Sequence, residues 1–200
     1  MTHYFVTGTD TDVGKTVVST LLVRQLGAFY WKPVQSGTND IEDKNEVMRL
    51  GGIGPEKILP CVYELTEPLS PHDAAAIDGV EIDLDAIQKP DVAGDLVIEG
   101  AGGIFVPINN EFFMIDLIKK MDCEVIVVAR SGLGTINHTL LTLKALRDRE
   151  ITIKGVVLNG PLNERNKKAI EQFGKVRILG EIPYIKNQDF MKLEQNLFQL

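Results

Sequence analysis

Three stretches carry side chains suited to handling phosphate and a divalent metal: VTGTDTDVGKT at residues 6–16, WKPVQSG around Lys32, and DLVIEGAGG around Glu99. The first ends as a phosphate-binding loop, because Gly14, Lys15 and Thr16 complete the close of the pattern GxxxxGK[ST]. It opens differently. Thr9 stands where the first glycine belongs, and Gly8 comes one residue early. An apolar strand before the loop and a helical run, TVVSTLLVRQL, after it supply the setting required: backbone N–H groups and a helix N-terminus together cradle an anion. Lys15 is therefore expected at the β- and γ-phosphates of a nucleotide, and the Thr16 hydroxyl on Mg²⁺. Guanine-reading proteins carry NKxD, whereas Asn166 and Lys167 here continue with Lys168 and Ala169. Adenine is the expected base, and ATP the expected nucleotide.

Lys32 precedes Pro33, whose ring biases the lysine towards an extended backbone. A lysine within an otherwise apolar strand is unfavourable without an anionic partner, so its charge is expected to face one. Glu99 ends a buried strand, and Gly100, Gly102 and Gly103 leave room for phosphate or metal beside it. A carboxylate there, opposite Thr16, suits Mg²⁺. In SGLGTINHTLL, Thr135 is expected as the N-cap with Asn137 and His138 in the first turn; the free N–H groups suit a substrate carboxylate, and ordinary capping suits the same residues. SPHD reads as a helix start, with Ser70 the N-cap, Pro71 the first helical residue and Asp73 in the first turn. VVLNG ends in Asn159, whose amide can meet an adenine edge or form an Asn-Gly turn.

The elements that must position these residues alternate. YFVTG, FYWKPV, DLVIEG, CEVIVVAR, IKGVVLNG and VRILGEIP are apolar on consecutive positions, which marks strands covered on both faces. Helical spacing occupies Lys15–Leu26 and residues 113–121, 135–149 and 163–174. This predicts an α/β fold: a doubly wound, mostly parallel sheet of the P-loop NTPase type, with helices on both faces and ligands at the strands' carboxyl ends. Residues 37–91 are weaker in pattern and are expected to form an excursion over the site, within one domain spanning residues 1–200. A net charge of −7 disfavours nucleic acid as a partner. Cys61 and Cys123 lack CxxC spacing and are expected as buried thiols. No basic-then-apolar leader opens the sequence and no apolar run reaches membrane-spanning length, so the cytoplasm is the expected compartment, with no membrane partner.

Taken in order, GTDTDVGKT, WKPVQSG, EPLSPH, IEGAGG, GLGTINH, VVLNG and GEIP closely resemble the dethiobiotin synthetase family, over residues 7–185. The resemblance implies an ATP-dependent ligase that joins CO₂ to 7,8-diaminopelargonate through a carbamate and a carbamic-phosphoric anhydride, releasing ADP and phosphate. It implies that Asp12, Val13, Gly14, Lys15, Thr16 and Val17 wrap the phosphates while Thr11 faces the second substrate. Lys15 and Lys32 become the catalytic lysines, with Ser36 beside the carbamate, and Thr16 and Glu99 hold Mg²⁺. Glu99, Gly100, Ala101 and Gly102 line the nucleotide, Asn159 meets adenine, and Pro183, Tyr184 and Ile185 shape its pocket. The GLGTINH helix start binds the substrate carboxylate of a neighbouring subunit through Thr135 and Asn137, which implies a homodimer with shared sites.

The family carries a further metal-side carboxylate, typically aspartate, shortly after KPVxSG; Glu46 in KNEVMRL is taken as its match, with Asp40 and Asp43 nearby. Beyond GEIP the family often has an acidic residue near the base, where this sequence reads YIKNQD and Asn187 stands in its place, so a looser nucleotide preference is open. Chromosome-partitioning and septum-positioning ATPase switches share the predicted sheet but carry lysine at the position of Asp10. The final DFMKLEQNLFQL is too poor in basic residues for an anionic membrane and is expected to pack on its own chain. Cobyrinate-type amide ligases normally bring a glutamine-hydrolysing domain, and 200 residues leave no space for one.

Overall fold

A computed structural model describes residues 1–39, 42–184, 190, 193 and 197–200. Its elements run β1 (His3–Gly8), α1 (Lys15–Leu26), β2 (Phe29–Trp31), β3 (Val34–Ser36), α2 (Asp43–Gly51), β4 (Tyr63–Leu65), α3 (Pro71–Asp78), β5 (Leu96–Gly103), α4 (Met114–Met121), β6 (Glu124–Arg130), α5 (Thr135–Asp148), β7 (Ile153–Asn159), α6 (Glu164–Gly174) and β8 (Ile178–Ile182). Among the described residues the main sheet has six strands, all pairs parallel, in the order β2-β5-β1-β6-β7-β8. The order reverses around β1. A crevice opens at such a reversal, at the carboxyl ends of the strands.

Consecutive apolar residues in each strand serve opposite faces, as alternation along a strand requires. Phe5, Val125, Val127 and Ala129 join the core under α3, α4, α5 and α6; Tyr4, Val6, Ile126 and Val128 join the one under α1 and α2. The doubly wound α/β arrangement is therefore the one observed. Phe190 and Phe198 also pack into the α1 side, with Leu193, Leu197 and Leu200 against it. The described part of the C-terminal segment thus lies on its own chain.

FYWKPV does not form one strand. Pro33 has no N–H to give to a ladder, so the chain leaves the main sheet after Trp31, and β3 pairs with β4 in a separate two-stranded parallel sheet. Lys32 sits at that departure. Among its described residues the excursion over 37–91 holds α2, β4, α3 and two 3₁₀ turns beside the crevice. Both cysteines are free and half-buried, where full burial was expected, and burial pushes each thiol up to about 11.

Candidate nucleotide site

The loop after β1 explains the early glycine. A Cβ on Gly8 would lie 2.6 Å from the Asp10 carbonyl oxygen and 2.8 Å from Val13 Cγ2, so the polar lead-in folds back directly onto Gly8. Gly14 caps α1 at φ 95°, a left-handed conformation, and a Cβ there would lie 2.0 Å from Asn159 Nδ2. The first turn of α1 contains no acidic residue, which leaves its N–H groups and dipole free for an anion.

Asn159, at the end of β7, donates from Nδ2 to the Val13 carbonyl at 2.9 Å. One N–H of the amide expected at adenine therefore holds the loop. Asp10 is shared as well: its carboxylate accepts from Arg130 at 2.5 Å and from the Thr11 N–H at 2.8 Å, while its carbonyl accepts from Lys15 Nζ at 3.2 Å.

Around this loop lies a cavity of about 820 Å³, lined among others by Thr11, Lys15, Thr16, Lys32, Ser36 and Glu99. Lys32 is buried, with Nζ 2.5 Å from Asp43 Oδ2 and 3.2 Å from Glu99 Oε1. Burial works against its charge, but Glu99 and Asp43 outweigh it and hold the ammonium above its ordinary value. Lys15 is lowered instead, chiefly by burial, with the positive Lys32 nearby adding to the effect. Burial would raise Asp43, but its contact with Lys32 dominates and leaves the carboxyl below its ordinary value. Tyr30, fully buried, is raised well above the usual phenol by burial first and then by Glu99.

The expected carboxylate beside Thr16 is corrected here. Glu46 bonds Arg49 through Nε at 2.8 Å and makes no contact with Thr16 or Lys32 among the described residues. Asp43 takes that position: Thr16 Oγ1 lies 2.8 Å from Asp43 Oδ1 and 2.9 Å from Glu99 Oε1. Asp43 opens α2, and its N–H donates to Gln35 Oε1 at 3.2 Å, which ties the helix start to β3 beside the lysine. A carboxylate in a first turn also complements the helix dipole.

Hydroxyl plus two carboxylates is an all-oxygen donor set, which fits Mg²⁺: that ion needs only one or two protein carboxylates because phosphates and water complete its shell. Larger clusters of three or more His, Cys, Asp or Glu able to hold a metal are absent among the described residues.

The remaining expected residues divide between this cavity and its surroundings. Asp12 and Gly14 line it with Ala101 and Gly102, whereas Val13 is buried behind the loop and Gly100 packs on Phe5. Thr135 is not the N-cap: Gly134 takes that position at φ 91°, and Thr135 turns inward, its Oγ1 3.4 Å from that of Thr139. Asn137 is exposed on the first turn of α5, and neither residue lines the cavity. Pro183 and Tyr184 are exposed beyond β8, while Ile185, Asn187 and Asp40 fall outside the described residues.

Sequence reasoning passed over Tyr30, Gln35 and Arg130. Tyr30 was findable, since it stands two residues before Lys32 in the run FYWKPV read as a strand, where alternate side chains share a face.

A phosphate cradle at the carboxyl end of the central strand of a doubly wound parallel sheet defines the P-loop class of nucleotide-dependent proteins. A family model described as an AAA domain matches residues 2–192. The ATP-dependent dethiobiotin synthetase of Paramagnetospirillum magneticum is 51% identical over 182 residues, covering 91% of this chain and 88% of that protein. The synthetase of Rhodopseudomonas palustris (strain HaA2) is 48% identical over 178 residues, covering 89% and 84%. The ParA family ATPase from Chlorobium tepidum has a TM-score of 0.58 at 12% identity, covering 98% of this chain and 91% of that one, a likeness of fold alone. The chain belongs to the dethiobiotin synthetase family of ATP-dependent ligases.

Proposed function

We propose that this chain, acting as one ligase domain in a cytoplasmic homodimer, converts 7,8-diaminopelargonate, CO₂ and ATP into dethiobiotin, ADP and phosphate. One amine adds to CO₂ and loses a proton, giving a carbamate. A carbamate oxygen attacks the γ-phosphorus, the bond to ADP breaks, and a carbamic-phosphoric anhydride forms. The second amine then attacks the anhydride carbon, phosphate leaves with its electron pair, a proton is lost, and the cyclic urea closes.

The obstacle is bringing an anionic carbamate against an anionic triphosphate. The observation that carries the reading is the convergence of two buried lysines, Lys15 and Lys32, on one cavity. Lys15 holds the transferring phosphoryl group, and Lys32 holds the carbamate; charge neutralisation by fixed groups in a water-poor site is worth far more than in bulk water. Ser36 supports the same assignment, because its hydroxyl is buried without a partner among the described residues at the cavity wall. Thr16, Glu99 and Asp43 would hold Mg²⁺, which supplies positive charge to the phosphate oxygens. The Asn159 carbonyl oxygen and remaining N–H are assigned to adenine, and Pro183, Tyr184 and Ile185 to the wall of its pocket.

A second cavity of about 460 Å³ adjoins the first, sharing Thr11, Ser70 and Val106, and is lined also by Phe105, Pro107 and Leu141. Its apolar wall suits the aliphatic chain of the diamine. Phe105, Leu133 and Leu141 are 60%, 103% and 59% exposed near the start of α5. Exposed apolar side chains of this size favour a second copy, whose Thr135 and Asn137 would then reach the carboxylate.

ADP release measured with and without diaminopelargonate and bicarbonate tests the reading: hydrolysis indifferent to both would end it. Lys32→Ala is expected to leave ATP affinity within about threefold and to lower ring closure by about 10²–10³-fold, the scale for loss of one transition-state contact. Equal losses of affinity and turnover would mean that Lys32 serves the nucleotide instead.

A further inference from the structure

Glu99 is fully buried, and its two oxygens face different neighbours. Oε1 accepts from Thr16 Oγ1 at 2.9 Å and from Lys32 Nζ at 3.2 Å, so it is the oxygen turned to the cavity groups. Oε2 accepts from the Tyr30 hydroxyl at 3.2 Å.

This division follows from strand register. Tyr30 pairs with Val97 across β2 and β5. Tyr30 and Lys32 are two residues apart, Lys32 one residue beyond the end of β2, and both side chains reach the face of β5 that carries Val97 and Glu99. Both members of the first pair reach the carboxylate, Lys32 from the cavity side and Tyr30 from the core side. Tyr30 is wholly enclosed in the core beneath α1 and does not line the cavity, so it cannot touch a substrate there. A phenylalanine would fill the same space without a hydroxyl to satisfy.

We propose that Tyr30 is a positioning residue for the metal: by holding Glu99 Oε2, it fixes the plane of the carboxylate so that Oε1 faces Mg²⁺ together with Thr16 and Asp43. The proposal rests on the reading of Glu99 as a metal ligand. A carboxylate free to turn about its last bond offers either oxygen or both, whereas one held from behind offers a single oxygen in a fixed direction. Removing such an outer hydrogen bond typically weakens metal binding or activity by about 10–100-fold.

The test is Tyr30→Phe, with Mg²⁺ titrated calorimetrically into protein loaded with a non-hydrolysable ATP analogue and no second substrate. The Mg²⁺ dissociation constant should rise about tenfold or more, while affinity for the analogue without metal stays at the wild-type value. In a Glu99→Gln background the same substitution should change Mg²⁺ affinity no further; a general loosening of the core would act in both backgrounds. Wild-type Mg²⁺ affinity in folded Tyr30→Phe overturns the proposal, as does a variant that cannot be isolated folded in the cold, since the hydroxyl would then serve folding. If the unsubstituted chain itself takes up no Mg²⁺, the failure lies with Glu99 as a ligand and is recognised separately.

Discussion

At the scale of single residues, the two cavity lysines have opposite electrostatic settings. Lys32 is raised by its carboxylate partners, and Lys15 is lowered, chiefly by burial. In the free protein Lys15 therefore loses its proton first as pH rises, below its ordinary value of 10.5. Affinity for ATP should fall over that alkaline limb, measured by equilibrium binding across the pH range; constant affinity up to 10.5 would contradict the assignment of Lys15 to the phosphates. The limits of the sequence are clearest at this scale too. The need of Lys32 for an anion was legible because a lysine inside an apolar run demands a partner, whereas Glu99, read as the end of its strand, lies within β5, which runs on to Gly103. The choice between Asp43 and Glu46 was not legible, because both lie three residues apart on one helix and only the tie from the Asp43 N–H to Gln35 reveals which faces Thr16. Asn159 was expected at adenine from its place at a strand end, but its bond to the Val13 carbonyl joins segments that no local pattern connects.

At the scale of elements, α1 joins phosphate binding to the core. Its first turn offers N–H groups to the anion, while Leu22, in its middle, is wholly buried against the sheet. Leu22→Ala should lower unfolding free energy by about 2–5 kcal/mol, read from urea unfolding, because a cavity forms where the helix cannot collapse onto the sheet. Nucleotide affinity of the folded molecules should persist, since Leu22 does not line the cavity. Strands and long helices were read closely from periodicity, as buried parallel strands are apolar at every position. The break at Pro33 was under-read: FYWKPV looks continuous in composition, yet a missing donor N–H sends β3 into a different sheet. The start of α5 was misplaced by one residue because Gly134 supplies the left-handed cap that Thr135 cannot readily adopt.

At the scale of the whole molecule, the exposed side chains of Phe105 and Leu141 line the smaller cavity, and the exposed Leu133 stands just before α5. In the proposed dimer, Leu133→Asp combined with Leu141→Asp should yield monomers by sedimentation velocity, with ATP binding retained and ring closure lost. Monomers that still close the ring would show that each chain holds a complete site. No helix among the described residues is long and apolar enough to cross a membrane. Periodicity cannot reveal an assembly, because a surface leucine looks the same in sequence whether it meets water or another subunit.

β1 lies between β5 and β6, pairing with Leu96 on one side and Glu124 on the other. The loop that follows β1 is thus completed by strands translated much later, with Arg130 from β6 and Asn159 from β7 gripping it. A nascent chain halted before these residues emerge from the ribosome has no finished cradle. Capture of stalled chains on immobilised nucleotide would therefore begin only once Asn159 has emerged.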